Sequence, residues 1–429
     1  FKMMNSSLLF NKFKHHSLDS VLEEIYGKET DMVNRQCERY CDAIKKYIDL
    51  FGDEDIEIYS APGRTEICGN HTDHQNGMVL AASINLDAIA VVGKSENSMV
   101  DFVSEGYSPI RCDISNLSIC EEEKETTTAL IKGVIKGMQN QGYHTGAFKA
   151  YVTSDILSGS GLSSSAALEA LLGTIQSGLF NNMEVSPVDI AMIGQYAENV
   201  YFGKPCGLMD QIACSVGDFV QIDFKIPGKP QVHKLAYDLA SEGYHLCIVD
   251  TKGSHANLTD DYAAIPQEMK QVAAFFHKEL LGEVTMEDFL KELPALYGSV
   301  NDRAILRAYH FFTENERVKR AAAALEANHF TEFLSVIKES GNSSFRYLQN
   351  VYSSHNSECQ PIPMALAFSE YYLKDNGVCR VHGGGFAGTI QAFVKDEAVA
   401  GYKEFIEKIF GEGTCHVLKI RKQGGMKVQ

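Results

Sequence analysis

The stretch "AFKAYVTSDILSGSGLSSSAALEALLGTI" (147–175) constrains this chain more than any other. Its first nine residues alternate apolar and polar, the period of a half-buried strand. Its last part sets Ala166, Ala167, Leu168, Leu171, Leu172 and Ile175 at helical spacing. Between them, Gly159 and Gly161 allow backbone angles that a side chain would forbid, so neighbouring amides can turn inward together. Ser163, Ser164 and Ser165 stand where helix caps belong. A helix start carries unpaired N–H donors and partial positive charge, and both suit a phosphate. A flexible turn with a serine cap is the plainer alternative, and this stretch alone does not choose between them.

Spacing excludes the commoner phosphate and hydrolase motifs. A Walker A loop needs a glycine five residues before Gly93-Lys94-Ser95, where the chain has Ala88. The dinucleotide fingerprint G-x-G-x-x-G fails at Ser164, and no G-x-S-x-G is present.

A chain of 429 residues is expected to divide into two or three domains. Helical periodicity is expected over 30–50, 163–181, 187–202, 262–281, 302–327, 330–340 and 361–375. "IEIYSAPGR" reads as a strand that stops at Pro62-Gly63, and "MVLAASINLDAIAVVG" as one or two buried strands. Further strands are expected at 147–155 and 243–251, and on either side of "HGGGFAG". A composition shift near "KIPGKPQ" (225–231) divides a strand-rich half, 1–225, from a helix-rich half, 226–429.

The formal charge of −17 repels nucleic acid and anionic membranes, although a pocket can still be locally positive. "FKMMNSSLLFNKFKHH" lacks the apolar core of a signal peptide. Eleven scattered cysteines without a CxxC pair or zinc spacing read as reduced thiols of a cytoplasmic protein.

Three further stretches carry weight: "APGRTEICGNHTDHQNG" (61–77), "GKPCGLMDQ" (203–211) and "HGGGFAG" (382–388). With the serine loop, their order and spacing resemble the GHMP kinase superfamily and, within it, the galactokinase family. That family's motifs read roughly PGRVNLIGEHTDYNGG, PLGSGLSSSA, PCGIMDQ and GGGFGG. Weaker similarity at 250–262, 307–318 and 339–346 extends the resemblance over about residues 50–420. It implies an α+β, two-domain GHMP kinase fold. A mixed-sheet N-terminal domain of ribosomal-S5-domain-2-like architecture would face a ferredoxin-like α/β-plait domain, with the active site between them.

The resemblance also implies roles. The loop Gly159, Ser160, Gly161, Leu162, Ser163, Ser164 and Ser165 would wrap the phosphates of ATP. Ser165 and Glu198 would hold Mg²⁺, for which a hydroxyl and a carboxylate are suitable hard ligands. Asp210, held ionised by Arg64, would orient or deprotonate the sugar's C1 hydroxyl. His71, Asp73, Gly207 and Tyr262 would line the sugar pocket, and Gly384 and Gly385 would bring backbone close to a ligand. A monomer is implied, as is a monosaccharide partner beside ATP. The bunching of His71, Asp73 and His74 also admits a metal cluster. His255 and His382 read as packing or surface residues.

The chain departs from the family pattern at several positions. Leu157 and Ser158 replace Pro-Leu, Ala387 replaces glycine, and Glu66 and His74 replace Asn and Tyr. Asn70 stands where galactokinases have a glutamate that contacts the sugar's C6 hydroxyl. Like charges ~4 Å apart cost about 4 kcal/mol at an effective dielectric of about 20, near a thousandfold in affinity. Losing that glutamate therefore permits a carboxylate at C6, to which Asn70 could donate; the related plant galacturonate kinases similarly lack the acid and contain a DHQGG-like stretch, to which "DHQNG" (73–77) is similar. Galactose is the expected acceptor, with galacturonate as the alternative. Some yeast relatives are non-catalytic sugar and ATP sensors whose alanines after the serine run are disrupted; Ala166 and Ala167 are intact here.

Overall fold

The computed structural model describes residues 3–156 and 158–429, so the departure at Leu157 lies outside the described residues. Two sheets organise it. The first contains β1 (Met4–Asn5), β2 (Asp55–Cys68), β3 (Met78–Lys94), β4 (Met99–Ser104), β5 (Ile110–Asp113), β6 (Phe148–Ser154), β7 (Phe219–Asp223) and β8 (Gln231–Leu235). The second contains β9 (Tyr244–Asp250), β10 (Gly377–Val381), β11 (Thr389–Lys395) and β12 (Cys415–Leu418). A last short strand, β13 (Met426–Lys427), returns to the first sheet and pairs with β2.

In the first sheet the order is β1-β2-β3-β6-β4-β5, with β7 and β8 attached along the other half of β3. All pairs are antiparallel except β4 with β6. The second sheet is antiparallel throughout, in the order β10-β11-β9-β12. One mixed and one antiparallel sheet with packed helices make this an α+β protein.

The near-continuous apolar run of β3 follows from burial on both faces. Ile89 and Val91 meet the helices Ser6–Lys14, Asp19–Tyr26 and Thr30–Phe51. Ala88, Ala90 and Val92 face the opposite core, with Leu171, Leu172 and Ile175 of the helix Ser164–Asn181. The strand expected to stop at Pro62 instead continues to Cys68. The proline is absorbed by a shift of register between Pro62 and Arg64, a bulge that tolerates the missing N–H. Among the described residues, no helix is long and apolar enough to cross a membrane.

One buried acid ties remote segments together. Asp87 on β3 accepts from Tyr26 (2.6 Å), Ser60, Arg39 (2.7 Å) and Arg421 (3.0 Å). Burial would push its carboxyl up, but the two guanidiniums outweigh burial and hold it below the usual range. Beyond Arg421 the chain lies against the end of the helix Met209–Val216. A side chain at Gly424 would collide with the Ser215 carbonyl, and one at Gly217 with Gly424. Asp218 N–H donates to Arg421 O at 2.8 Å.

Removing one partner of a buried ion network leaves charge uncompensated. Arg421→Met is therefore expected to cost about 3 kcal/mol, read as a lower urea midpoint at unchanged slope.

Candidate active site

Arg64 leaves the bulge of β2 and reaches in two directions. Its Nε and Nη2 donate to the two carboxylate oxygens of Asp210 at 2.7 and 3.0 Å, a bidentate fork. Its Nη1 donates to Gly161 O at 2.6 Å, and its backbone N–H to Leu162 O at 3.1 Å. Asp210 sits in the first turn of Met209–Val216, where the helix dipole favours an anion. Desolvation would raise its carboxyl; Arg64 and a 2.6 Å bond from Ser163 Oγ outweigh it and hold the group below the usual carboxylate range.

That bond changes the reading of the serine run. Ser163 occupies the cap position of Ser164–Asn181, but with φ of 60° and its hydroxyl turned to Asp210 rather than to the helix. Among the described residues no side chain caps the opening amides. A helix start left open in this way retains its donors for an anionic ligand.

Arg64 and Asp210 belong to the wall of a cavity of about 390 Å³, which Glu66, Asn70, His71, Asp73, His74, Ser165, Glu198, Lys204, Gly207, Gly383 and Gly384 also line. The first and third motifs clasp each other across it. Asn70 Nδ2 donates to Gly383 O at 2.7 Å, His71 Nε2 to Gly384 O at 3.0 Å, and Asn350 Nδ2 to Gly384 O at 3.2 Å. Gly385 is required for packing rather than for a ligand, because a Cβ there would run into Asn350 O. Gly207 lies 3.0 Å, measured from where its Cβ would be, from Asp73 Oδ2.

Two expectations need correction. Asn70 was to offer its N–H₂ to a sugar carboxylate, but the second hydrogen is also engaged, by Glu66 Oε1 at 2.9 Å. Its Oδ1 accepts from Asn350 at 2.7 Å and from Ser344 at 3.2 Å, so the carboxamide is saturated within the protein. Tyr262 stands behind the third motif rather than in the cavity wall. Its hydroxyl donates to Gly385 O at 2.8 Å, and its ring meets Phe386 edge-on at 5.2 Å.

Ser165 and Glu198 both face the cavity, and the surroundings of Glu198 fit a divalent cation. Gln211 Nε2 bridges Glu198 and a second buried acid, Glu169, at 3.1 Å each. Among the described residues no lysine or arginine pairs with either acid, and Glu169 Oε1 is buried without a hydrogen bond. Burial, and then Glu198, push the Glu169 carboxyl up to about 10. Ser165 and Glu169 are four apart on one helix, hence on one face, a spacing the sequence already contained.

His71, Asp73 and His74 do not gather as metal ligands. The one group among the described residues whose ligand atoms converge is His16, Asp19 and Cys37, in the N-terminal helical region. His382 is buried between Thr65 and Thr389 at 3.0 and 2.9 Å, a packing role; His255 is exposed, with Tyr262 Oη 3.4 Å from its Nδ1. The sequence reading did not single out Lys204, Glu169 or Asn350, and gave Glu66 no role.

Burial is the largest influence on Glu66 and raises its carboxyl to about 7, against the lowering effects of Arg380 and the Asn70 hydrogen bond. The unfolded chain releases this proton near pH ~4.3, so the native state holds it over a higher range. Stability from this group is present at low pH and lost as pH rises through about 7. Between pH 5 and pH 8 the wild type is expected to lose on the order of 2–3 kcal/mol relative to Glu66→Gln, read by urea unfolding at both pH values.

Family models match at two places: the galactokinase galactose-binding signature over residues 45–94 and the GHMP kinases N-terminal domain over residues 129–218. A galactokinase from Actinobacillus pleuropneumoniae is 31% identical over 386 residues, covering 87% of this chain and 94% of that protein. One from Glaesserella parasuis serovar 5 is 30% identical over 373 residues, covering 85% and 92%. The crystal structure of Lactococcus lactis galactokinase complexed with galactose superposes with a TM-score of 0.74 at 25% identity, covering 89% of this chain and 98% of that one. Methanococcus jannaschii mevalonate kinase, at 12% identity and a TM-score of 0.60, shares the fold. A phosphotransferase acting on a sugar hydroxyl accounts for the motifs, the cavity and these likenesses together, and the chain belongs to the galactokinase family of GHMP kinases.

Proposed function

We propose that this protein transfers the γ-phosphate of ATP to the anomeric C1 hydroxyl of galactose, giving galactose 1-phosphate and ADP. The observation that carries the reading is the fork from Arg64 to Asp210, set in a cavity wall beside an uncapped helix start. Galactose, rather than another hexose, is supported by the names of the relatives and by the galactose in the Lactococcus lactis complex.

Phosphoryl transfer depends mainly on positioning and electrostatics. The Gly159–Ser165 loop and the opening amides of Ser164–Asn181 hold the phosphates in this reading. Ser165 and Glu198 would hold Mg²⁺, which when bound neutralises phosphate charge. Arg64 stabilises charge on the group in transfer. Asp210, held below the usual carboxylate range, is a weak base. It fixes the acceptor hydroxyl along the line of attack and takes its proton late. His71, Asp73 and Gly207 line the sugar end of the same cavity.

The reading is tested by ADP release with Mg-ATP across a sugar panel, with the phosphorylated carbon identified by NMR. Galactose phosphorylated at C1 is expected; phosphate on another carbon would overturn the regiochemistry. Ligand binding without turnover of any sugar would favour a sensor. Asp210→Asn is expected to lower kcat about 10²–10⁴-fold while ATP binding persists. Because Arg64 depresses the Asp210 carboxyl, the acid limb of kcat is expected below the range in which an ordinary carboxylate titrates.

A further inference from the structure

Glu66 follows Arg64 by two residues on β2, so both side chains point to the same face and both line the cavity. The residue is only 6% exposed. Its Oε1 accepts from Asn70 at 2.9 Å, and no described residue donates to Oε2. That oxygen is not closed off from the cavity, so a donor can reach it from a ligand there. Asn70 cannot supply it: both its hydrogens are engaged, and its oxygen is held by Asn350 and Ser344. Asn70 acts as a fixed support that holds one oxygen of Glu66 and leaves the other toward the cavity.

The electrostatic setting selects the donor. Arg380 and Arg64 both act on Glu66, which disfavours an ammonium group beside it. The wall also carries Asp73, Glu198 and Asp210, while of its cations Arg64 is already paired with Asp210 and Lys204 remains. An incoming carboxylate meets like charge and has no hydrogen to offer Glu66, while Arg64 and Arg380 are already bonded to Asp210 and Ser340. A neutral hydroxyl meets an acceptor without a partner.

Resting on the reading of this cavity as a sugar site, we propose that Glu66 is a specificity-determining residue: its cavity-facing oxygen accepts a sugar hydroxyl, and its charge restricts the acceptor to neutral sugars while excluding the corresponding uronates. The acid that the family pattern places at position 70 is thereby supplied from position 66, and the galacturonate alternative loses its support.

The test compares kcat/KM for galactose and galacturonate at pH 8, above the value of about 7 to which burial raises the Glu66 carboxyl. The wild type is expected to favour galactose at least 100-fold. Glu66→Gln, which keeps the bond from Asn70 but removes the charge, should raise galactose KM and narrow that preference at least tenfold. Glu66→Asp, which keeps the charge but shortens the reach, should raise galactose KM and still exclude galacturonate; it carries the test if the Gln variant fails to fold. A wild type that favours galacturonate overturns the proposal. So does a folded Gln variant with the wild-type ratio, or an Asp variant that uses both sugars equally. A wild type that turns over no sugar overturns the sugar-kinase reading and this inference together, whereas an active wild type with an unchanged variant ratio strikes Glu66 alone.

Discussion

One guanidinium sets the geometry of the site. Arg64 places three donors on two different segments: two on Asp210 and one on Gly161 O. Its backbone amide fastens the same loop through Leu162 O. The planar fork leaves little freedom in how the carboxylate is presented, which a lysine could not reproduce. Strand β2, the glycine–serine loop and the helix bearing Asp210 are therefore positioned against one another by a single residue. The desolvation of this ion pair is offset because both partners are also hydrogen-bonded to the loop, through Gly161 and Ser163.

A second ionic centre does for the scaffold what Arg64 does for the site. Asp87 draws Arg39, Arg421, Tyr26 and Ser60 to the middle of β3, from points far apart in the chain. The two centres are mechanically joined. Arg421 leads into the glycine-bearing segment that backs the helix Met209–Val216, and that helix carries Asp210. The catalytic carboxylate in the proposed mechanism is thus braced in front by Arg64 and behind by the 421–424 segment.

Much of this was legible in the sequence, for identifiable reasons. The strand at 147–155 and the helices at 164–181 and 302–326 announce themselves by the spacing of apolar residues that pack into a core. Pro62 misled because a proline stops a strand only where no bulge can absorb it. Ser163 misled because a serine at a cap position is assumed to accept from its own helix, and here its left-handed backbone turns the hydroxyl to donate to Asp210 instead. The roles of Glu66 and Asn70 depend on which oxygen and which hydrogens are already engaged by residues 344, 350 and 383, and that is decided by the third dimension alone. Glu169 was within reach, four residues after Ser165, but an acid in an alanine–leucine helix reads as surface until its burial is seen.

The return of residues 421–427 to the first sheet bears on how the protein is made. A ribosome releases the chain from its beginning, so β2, β3 and the Asp210 helix are all outside the exit tunnel long before their last partner is synthesised. Until then Asp87 lacks one of its two guanidiniums, and the backbone around Gly217 faces solvent instead of Gly424. A chain ending before Arg421 would therefore have every residue of the proposed active site and no completed scaffold to hold it.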